Sequence, residues 1–417
     1  MKTTGKFLGK ALPVLLAVLI LAGFSTGCAG APPPAGKPQV RLGIDNIDQH
    51  LAVFDGKRVG LITNATGINS SYESSIDVLM AKTRLVALFS PEHGIRGAAQ
   101  AGDKVGSQTD AKTGLPVFSL YGDTRKPTPS MLENLDILAF DIQDVGARPY
   151  TYIYTMAYAM QAAKDNGKTF VVFDRPNPIG GVEVEGGLIK PGYESFVGLY
   201  PIPSRHGMTV GELAKLFNKE FGIGCDLVVI EMSGWKRGMY FDETGLPWVM
   251  TSPNIPTPDT ALVYPGTGLF GGTNVSEGVG TTRPFEFVAA PWLDAEALAA
   301  RMNAAKLPGV VFRPAGYIPR FGNFTGEICN GVQLHIVDRK AFRPVRTAMT
   351  LLYVIQELGG DQFAFRFAGK GTPMIDLTTG DSSLRLGRYT LDELLAQWDQ
   401  EARQFKEKAK EYYLYPE

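Results

Sequence analysis

Leu85-Val86-Ala87-Leu88-Phe89 runs without a break into Ser90-Pro91-Glu92-His93-Gly94-Ile95-Arg96-Gly97, and this abrupt change from apolar to polar sets the reading of the chain. A short uninterrupted apolar run fits a strand buried on both faces, as in a parallel sheet. Three more segments repeat the design. Arg58-Val59-Gly60-Leu61-Ile62 meets Thr63-Asn64-Ala65-Thr66-Gly67, Ile137-Leu138-Ala139-Phe140 meets Asp141-Ile142-Gln143-Asp144-Val145-Gly146-Ala147-Arg148-Pro149-Tyr150, and Phe170-Val171-Val172-Phe173 meets Asp174-Arg175-Pro176-Asn177-Pro178. Helical stretches over 71–83 and 151–164, with a shorter turn over 129–135, fill the gaps. Strand and helix in alternation predict an α/β fold, a Rossmann-like, doubly wound, mostly parallel sheet. Ligands of such sheets bind outside the carboxyl ends of the strands, so one cleft is expected to collect all four exits.

Further along, Thr209 and Glu212 have the spacing of a capping box and start a helix, which leads to a strand over 226–231. From 232 to 291 there is little periodicity and much Gly, Pro, Thr and Asn; so long an irregular stretch usually serves function. Regular patterns resume after Trp292: a helix over 294–305, strands over 310–312 and 332–337, and helices over 345–358 and 391–410. The closing Tyr412-Tyr413-Leu414-Tyr415 is expected to dock on a core. The expected organisation is a Rossmann-like catalytic domain over 40–290 and a smaller C-terminal α/β domain over 291–417.

A chain of 417 residues exceeds one ordinary core. With 41 Lys and Arg against 42 Asp and Glu, it carries no basic footprint for nucleic acid. Lys2, Lys6 and Lys10 precede an apolar run over 11–24 that ends in Ser25-Thr26-Gly27-Cys28, so residues 1–28 read as a secretory signal. Cys28 after Gly27 resembles the lipobox of bacterial lipoproteins. That resemblance implies lipidation at Cys28 and an anchor on a bacterial membrane, at the periplasm or the cell surface; ordinary cleavage and an uncleaved leader are the alternatives. Residues 29–39, rich in Ala and Pro, read as a tether. Cys225 and Cys329 read as buried and unpaired. The chain has four histidines and no His or Cys pair at ligand spacing, which argues against a metal site.

The chemistry is sought at the exits. Glu92, held between Pro91 and His93-Gly94, is the leading general acid, with a salt bridge to Arg96 as the alternative. Asp141 ends its strand and suits a paired carboxylate or a grip on sugar hydroxyls; Asp144 and Arg148 lie beside it, and their mutual neutralisation is the alternative. Asp174, Arg175 and Asn177 sit on a turn stiffened by two prolines, as preorganised ligands or as a structural turn. Tyr264 to Glu286 is the densest glycine-rich segment, with Asn274, Glu277 and Arg283 as side-chain contacts. It lacks the Gly-Lys-Ser/Thr of a phosphate loop, no dinucleotide fingerprint follows the first strand, and so no cofactor is expected. No Gly-x-Ser-x-Gly elbow is present. Carboxylates, arginines and aromatics remain, a set that suits a sugar.

Ser90 to Gly97, Asp141 to Tyr152, Asp174 to Gly181, Ser252 to Thr257 and Gly280 to Glu286 together resemble the NamZ/YbbC-like exo-β-N-acetylmuramidases, glycoside hydrolase family 171. The similarity runs from about Val40 to the closing tyrosines. It implies release of terminal N-acetylmuramic acid from the non-reducing ends of peptidoglycan fragments, or MurNAc-GlcNAc oligosaccharides, in cell-wall turnover or recycling. It also implies Glu92 as catalytic acid with Asp141 or Glu277 as partner. Asn64, His93, Arg96, Asp144, Arg148, Tyr150, Asp174, Arg175, Asn177, Asn254, Asn274 and Arg283 would surround the sugar, with Arg148 or Arg283 gripping the lactyl carboxylate. Gly268, Gly271 and Val279 depart from a family pattern of cysteine, glutamate and arginine. The alternative function is a non-catalytic lipoprotein that captures muropeptides in the same cleft.

Overall fold

The computed structural model describes residues 40–97, 102–103, 106–367 and 371–417; Cys28 and the expected tether lie outside them. Ten strands are formed among the described residues: β1 (Arg58–Thr63), β2 (Arg84–Ser90), β3 (Gln108–Thr109), β4 (Pro116–Ser119), β5 (Ile137–Asp141), β6 (Thr169–Phe173), β7 (Asp226–Ile230), β8 (Phe287–Ala290), β9 (Val310–Tyr317) and β10 (Cys329–Ile336). The first seven make one sheet in the order β3-β4-β2-β1-β5-β6-β7. All its pairs are parallel except β3 with β4. From β1 the chain builds outward through β2 and β4, then returns to β5 on the other side. That reversal is the topological switch point of an open α/β sheet.

Alternation along the strands decides the layers. Successive side chains of a strand point to opposite faces, and here Leu138, Phe140, Phe170 and Val172 join one core while Ile137, Ala139, Val171 and Phe173 join another. The first core also takes Ile153, Met156 and Met160 from the helix Tyr152–Asp165 and Leu213 and Phe217 from the helix Val210–Glu220. The second takes Ile76 and Leu79 from Ser75–Lys82. Each fully buried Phe contributes roughly 1.5–3 kcal/mol, so the apolar runs hold the sheet and free the exits for polar work.

The remaining strands form a three-stranded antiparallel sheet, β8-β10-β9. Helices Ala295–Ala304 and Pro344–Gly359 pack with it, and the larger core continues into it through Phe312, Val332 and Leu334. Cys225 and Cys329 are free and buried.

The stretch 232–291, expected to be irregular, holds β8 and a helix, Pro258–Thr267, started by Thr257, whose hydroxyl accepts from the Thr260 amide at 3.2 Å. Seven of its ten residues are buried, from Thr260 to Thr267 apart from Tyr264. A helix covered on most sides has no polar stripe, and periodicity is therefore silent. At Gly266 a Cβ would lie 2.0 Å from the Pro344 carbonyl oxygen, so only glycine permits this close approach to the helix Pro344–Gly359.

Candidate active site

A cleft of about 440 Å³ opens beyond the carboxyl ends of β2, β4 and β5. Glu92 and His93 line it from the β2 exit, Tyr121 and Arg125 from the β4 exit, and Pro149, Tyr150 and Thr151 from the β5 exit. Its other walls are Ser195–Val197, Ser252, Asn254 and Ile255, Tyr264, Phe285, Met374 and Leu377. The volume suits a small ligand bound largely out of water.

Glu92 is buried and polar on both oxygens. Oε1 accepts the Gly102 amide at 2.9 Å, and Oε2 accepts the Thr151 hydroxyl at 2.6 Å. Thr151 occupies the N-cap position of the helix Tyr152–Asp165, so the carboxyl group is tied to that helix's amino end. His93 turns the chain with φ at +70°, and Phe285 on the facing wall has φ at +65°. Non-glycine residues rarely adopt this region, and such strain concentrates at functional sites.

The wall is aromatic. Tyr264 meets Tyr150 and Phe285 edge to face, at 5.7 and 4.8 Å between ring centroids. Tyr150 donates to Thr251 Oγ1 at 2.8 Å and Tyr152 to the Thr251 carbonyl at 2.6 Å, which ties the 251–255 loop to the β5 exit. Burial, and then the charges of Glu92, Asp144 and Glu277, push the Tyr264 phenol far above its usual range. Tyr121 is pushed up to about 12 by burial and by Glu92, with Arg125 pulling the other way. Glu277 stands outside the cleft lining, half-buried, and its carboxyl is pushed up to about 6 by burial, partly offset by its own backbone amide and by Arg366.

Several expected site residues are employed elsewhere, which corrects the picture of one cleft over all four exits. Asp141 is fully buried and paired with Arg175, whose Nη2 lies 2.9 Å from Oδ2; it also accepts the Ser75 hydroxyl. With both oxygens taken inside the core, it does not line the cleft. Arg175 Nη2 also donates to the Ile68 carbonyl at 2.8 Å. Asp174 accepts four hydrogen bonds, from the Arg175 and Gly211 amides at 2.9 and 2.8 Å and from the Thr209 and Tyr415 hydroxyls at 2.7 and 2.6 Å. Burial pushes its carboxyl up to about 7 against the pull of these donors. Asn177 closes its own turn, accepting from Ile179 and donating to the Met208 carbonyl.

Arg148, expected to grip the lactyl group, is wholly buried and donates to the carbonyls of Gly187, Ile202 and Thr378. Burial lowers its pKa to about 10. Asp144 accepts the Gly146 amide at 2.7 Å, with Nε2 of His206 3.4 Å away. Asn64 accepts from the amide and hydroxyl of Thr66. Arg283 pairs with Glu286 at 2.8 Å and Arg96 with Asp110 at 2.7 Å. Asn274 clamps residues 362 and 364 by two hydrogen bonds. Of the expected residues, Glu92, His93, Tyr150 and Asn254 line the cleft.

Tyr121 and Arg125 escaped the sequence reading because β4 escaped it. Leu115 to Leu120 is a fifth apolar run ending in Tyr121-Gly122-Asp123, the same signal in a shorter strand near the sheet edge.

Two family models cover the chain: "Exo-beta-N-acetylmuramidase NamZ, N-terminal" over residues 59–259 and its C-terminal counterpart over 262–415. The chain belongs to the NamZ exo-β-N-acetylmuramidase family. It is 49% identical over 416 residues to the peptidoglycan β-N-acetylmuramidase NamZ of Bacillus subtilis strain 168, an alignment covering 97% of this chain and all of the relative. Among solved structures it resembles two DUF1343 family proteins of Bacteroides fragilis NCTC 9343. One is 42% identical with a TM-score of 0.84, over 90% of this chain and 99% of that one; the other is 30% identical with a TM-score of 0.73, over 91% and 99%. The two NamZ models meet inside the helix Pro258–Thr267 that carries Tyr264. The cleft draws Glu92 to Ile255 from the first and Tyr264, Phe285, Met374 and Leu377 from the second. At Gly271, expected to depart from the family pattern, a Cβ would meet nothing within 4 Å, so a side chain there would enter open space.

Proposed function

We propose that this protein is an exo-acting glycoside hydrolase that releases terminal N-acetylmuramic acid from the non-reducing ends of peptidoglycan fragments during cell-wall turnover or recycling, with Glu92 as its acid catalyst. The observation that carries the reading is the carboxyl group of Glu92 fixed by two hydrogen bonds in an aromatic-walled cleft, in a chain of this family. Glycosidic bonds are broken by a pair of carboxyl groups, or by one acid assisted by the substrate's acetamido group. Glu277, whose backbone carbonyl accepts the amide of the cleft-lining Phe285 at 2.6 Å, is the second carboxyl group in this reading. Aromatic faces around a pocket suit the apolar faces of a pyranose. The test is turnover of a chromogenic N-acetyl-β-muramide followed by proton NMR. Glu92→Gln is expected to reduce kcat by about 10²–10⁴-fold with an unchanged melting temperature; wild-type turnover in that variant rejects the assignment.

We propose further that the chain is exported and lipid-anchored through Cys28, on the strength of the basic, apolar and small-residue leader over 1–28. Cys28→Ser is expected to move the protein from the membrane fraction to the soluble one. An unchanged distribution would reject the anchor.

A further inference from the structure

The two sugars of peptidoglycan differ by one group, the 3-O-lactyl ether of N-acetylmuramic acid, which carries the monosaccharide's carboxylate. A site that prefers this sugar needs a cation or paired donors where the lactyl group falls, because apolar contacts discriminate only weakly. Four arginines of the exit segments and the glycine-rich loop are excluded by their contacts, and Arg58 by its place at the other end of its strand. Arg148 is enclosed by three carbonyls, and Arg96, Arg175 and Arg283 are bound to Asp110, Asp141 and Glu286. Arg58 lies at the opening of β1 in a pair with Asp136.

We infer that Arg125 is the specificity-determining residue of the cleft, the guanidinium that receives the lactyl carboxylate; the inference rests on the muramidase reading above. Arg125 supplies the one arginine or lysine among the described lining residues. Its guanidinium carbon lies 4.0 Å from the centroid of Phe196 and 5.7 Å from that of Tyr121. Among the described residues it forms no ion pair or hydrogen bond of its own. Stacking uses the face of a guanidinium and leaves its N–H edge for a planar anion, which can be held by two parallel bonds. Phe196 is a firm support, since Tyr158 stacks on it with ring planes 2° apart at 6.0 Å and Tyr121 packs at 6.0 Å.

Position agrees with chemistry. Glu92, Tyr121 and Arg125 line the same cleft, with the Arg125 guanidinium carbon 5.7 Å from the Tyr121 ring centroid. The scissile oxygen on C1 and the lactyl oxygen on C3 belong to one pyranose ring. The proposed pose puts the glycosidic oxygen at Glu92 and the lactyl carboxylate at Arg125, both on the wall of the same cleft.

The experiment compares wild type, Arg125→Met and Arg125→Lys in two arms. In the first, kcat/KM is measured on aryl N-acetyl-β-muramide and on the glucosaminide with the same leaving group. In the second, calorimetry measures binding of free N-acetylmuramic acid and free N-acetylglucosamine. Losing a charge-assisted bond is expected to lower the muramic-to-glucosamine affinity ratio about 10–100-fold in Arg125→Met, with partial recovery in Arg125→Lys. The kcat/KM ratio is expected to fall in parallel. Equal losses on both sugars, or an unchanged ratio, overturn the inference. A wild type that binds N-acetylmuramic acid through Arg125 but cleaves neither glycoside rejects the hydrolase reading and leaves the Arg125 inference standing.

Discussion

Glu92 and Glu277 stand in different surroundings. Glu92 is held by an amide and a hydroxyl, whereas Glu277 is half-buried with its carboxyl pushed up to about 6 by burial. With Glu92 giving the proton, the second group works in its charged form, as base, nucleophile or anchor of the substrate amide. A carboxyl group with a pKa of about 6 is mostly neutral below that pH and charged above it. Activity is therefore expected to rise with pH through about 6, in a kcat/KM profile on an aryl muramide. Glu277→Gln, which cannot ionise, is expected to lose about 10²-fold or more and the limb with it. A flat wild-type profile between pH 5 and 7 would count against this role. Sequence made Glu92 legible because a proline and a glycine frame it at the end of an apolar run. Arg125 gave no such signal, because its lack of an ion pair among the described residues depends on where the surrounding carboxylates have gone.

At the level of elements, the strand exits divide their labour. Those of β2, β4 and β5 reach the cleft, while that of β6 fastens the molecule together. Asp174 joins the end of β6 to the first turn of the helix Val210–Glu220 and to Tyr415 near the chain's end. Asp174→Asn turns an acceptor oxygen into a donor amid four donors. The expected cost is about 2–4 kcal/mol, read as a lower urea midpoint, with kcat retained in the folded fraction. Lost turnover at unchanged stability would return Asp174 to the substrate. Polarity alone could not separate these exits, because an aspartate at a strand end looks the same whether it meets a ligand or a hydroxyl across the fold. The capping box at Thr209 and the helices over 294–305 and 391–410 were legible, since caps and amphipathic stripes are local. The helix Pro258–Thr267 was not, being buried on nearly every side.

On the scale of the whole molecule, residues distant in sequence are drawn together by buried polar ties. Arg148 links the backbone at 187, 202 and 378. The last residues are tied as firmly: Leu414 donates to Glu212 at 2.9 Å, Arg237 donates to the Pro416 carbonyl at 2.9 Å and lies 3.3 Å over the Tyr413 ring, and Tyr415 reaches Asp174. The parallel sheet followed from apolar runs because burial on both faces is written in composition. These ties did not, since each depends on two partners far apart along the chain. The docked segment also limits how far the chain can be trimmed. Removing residues 413–417 would strip Asp174 of a phenol donor and Glu212 of an amide donor at buried sites, so such a truncation is expected to lower the thermal midpoint rather than merely shorten the molecule.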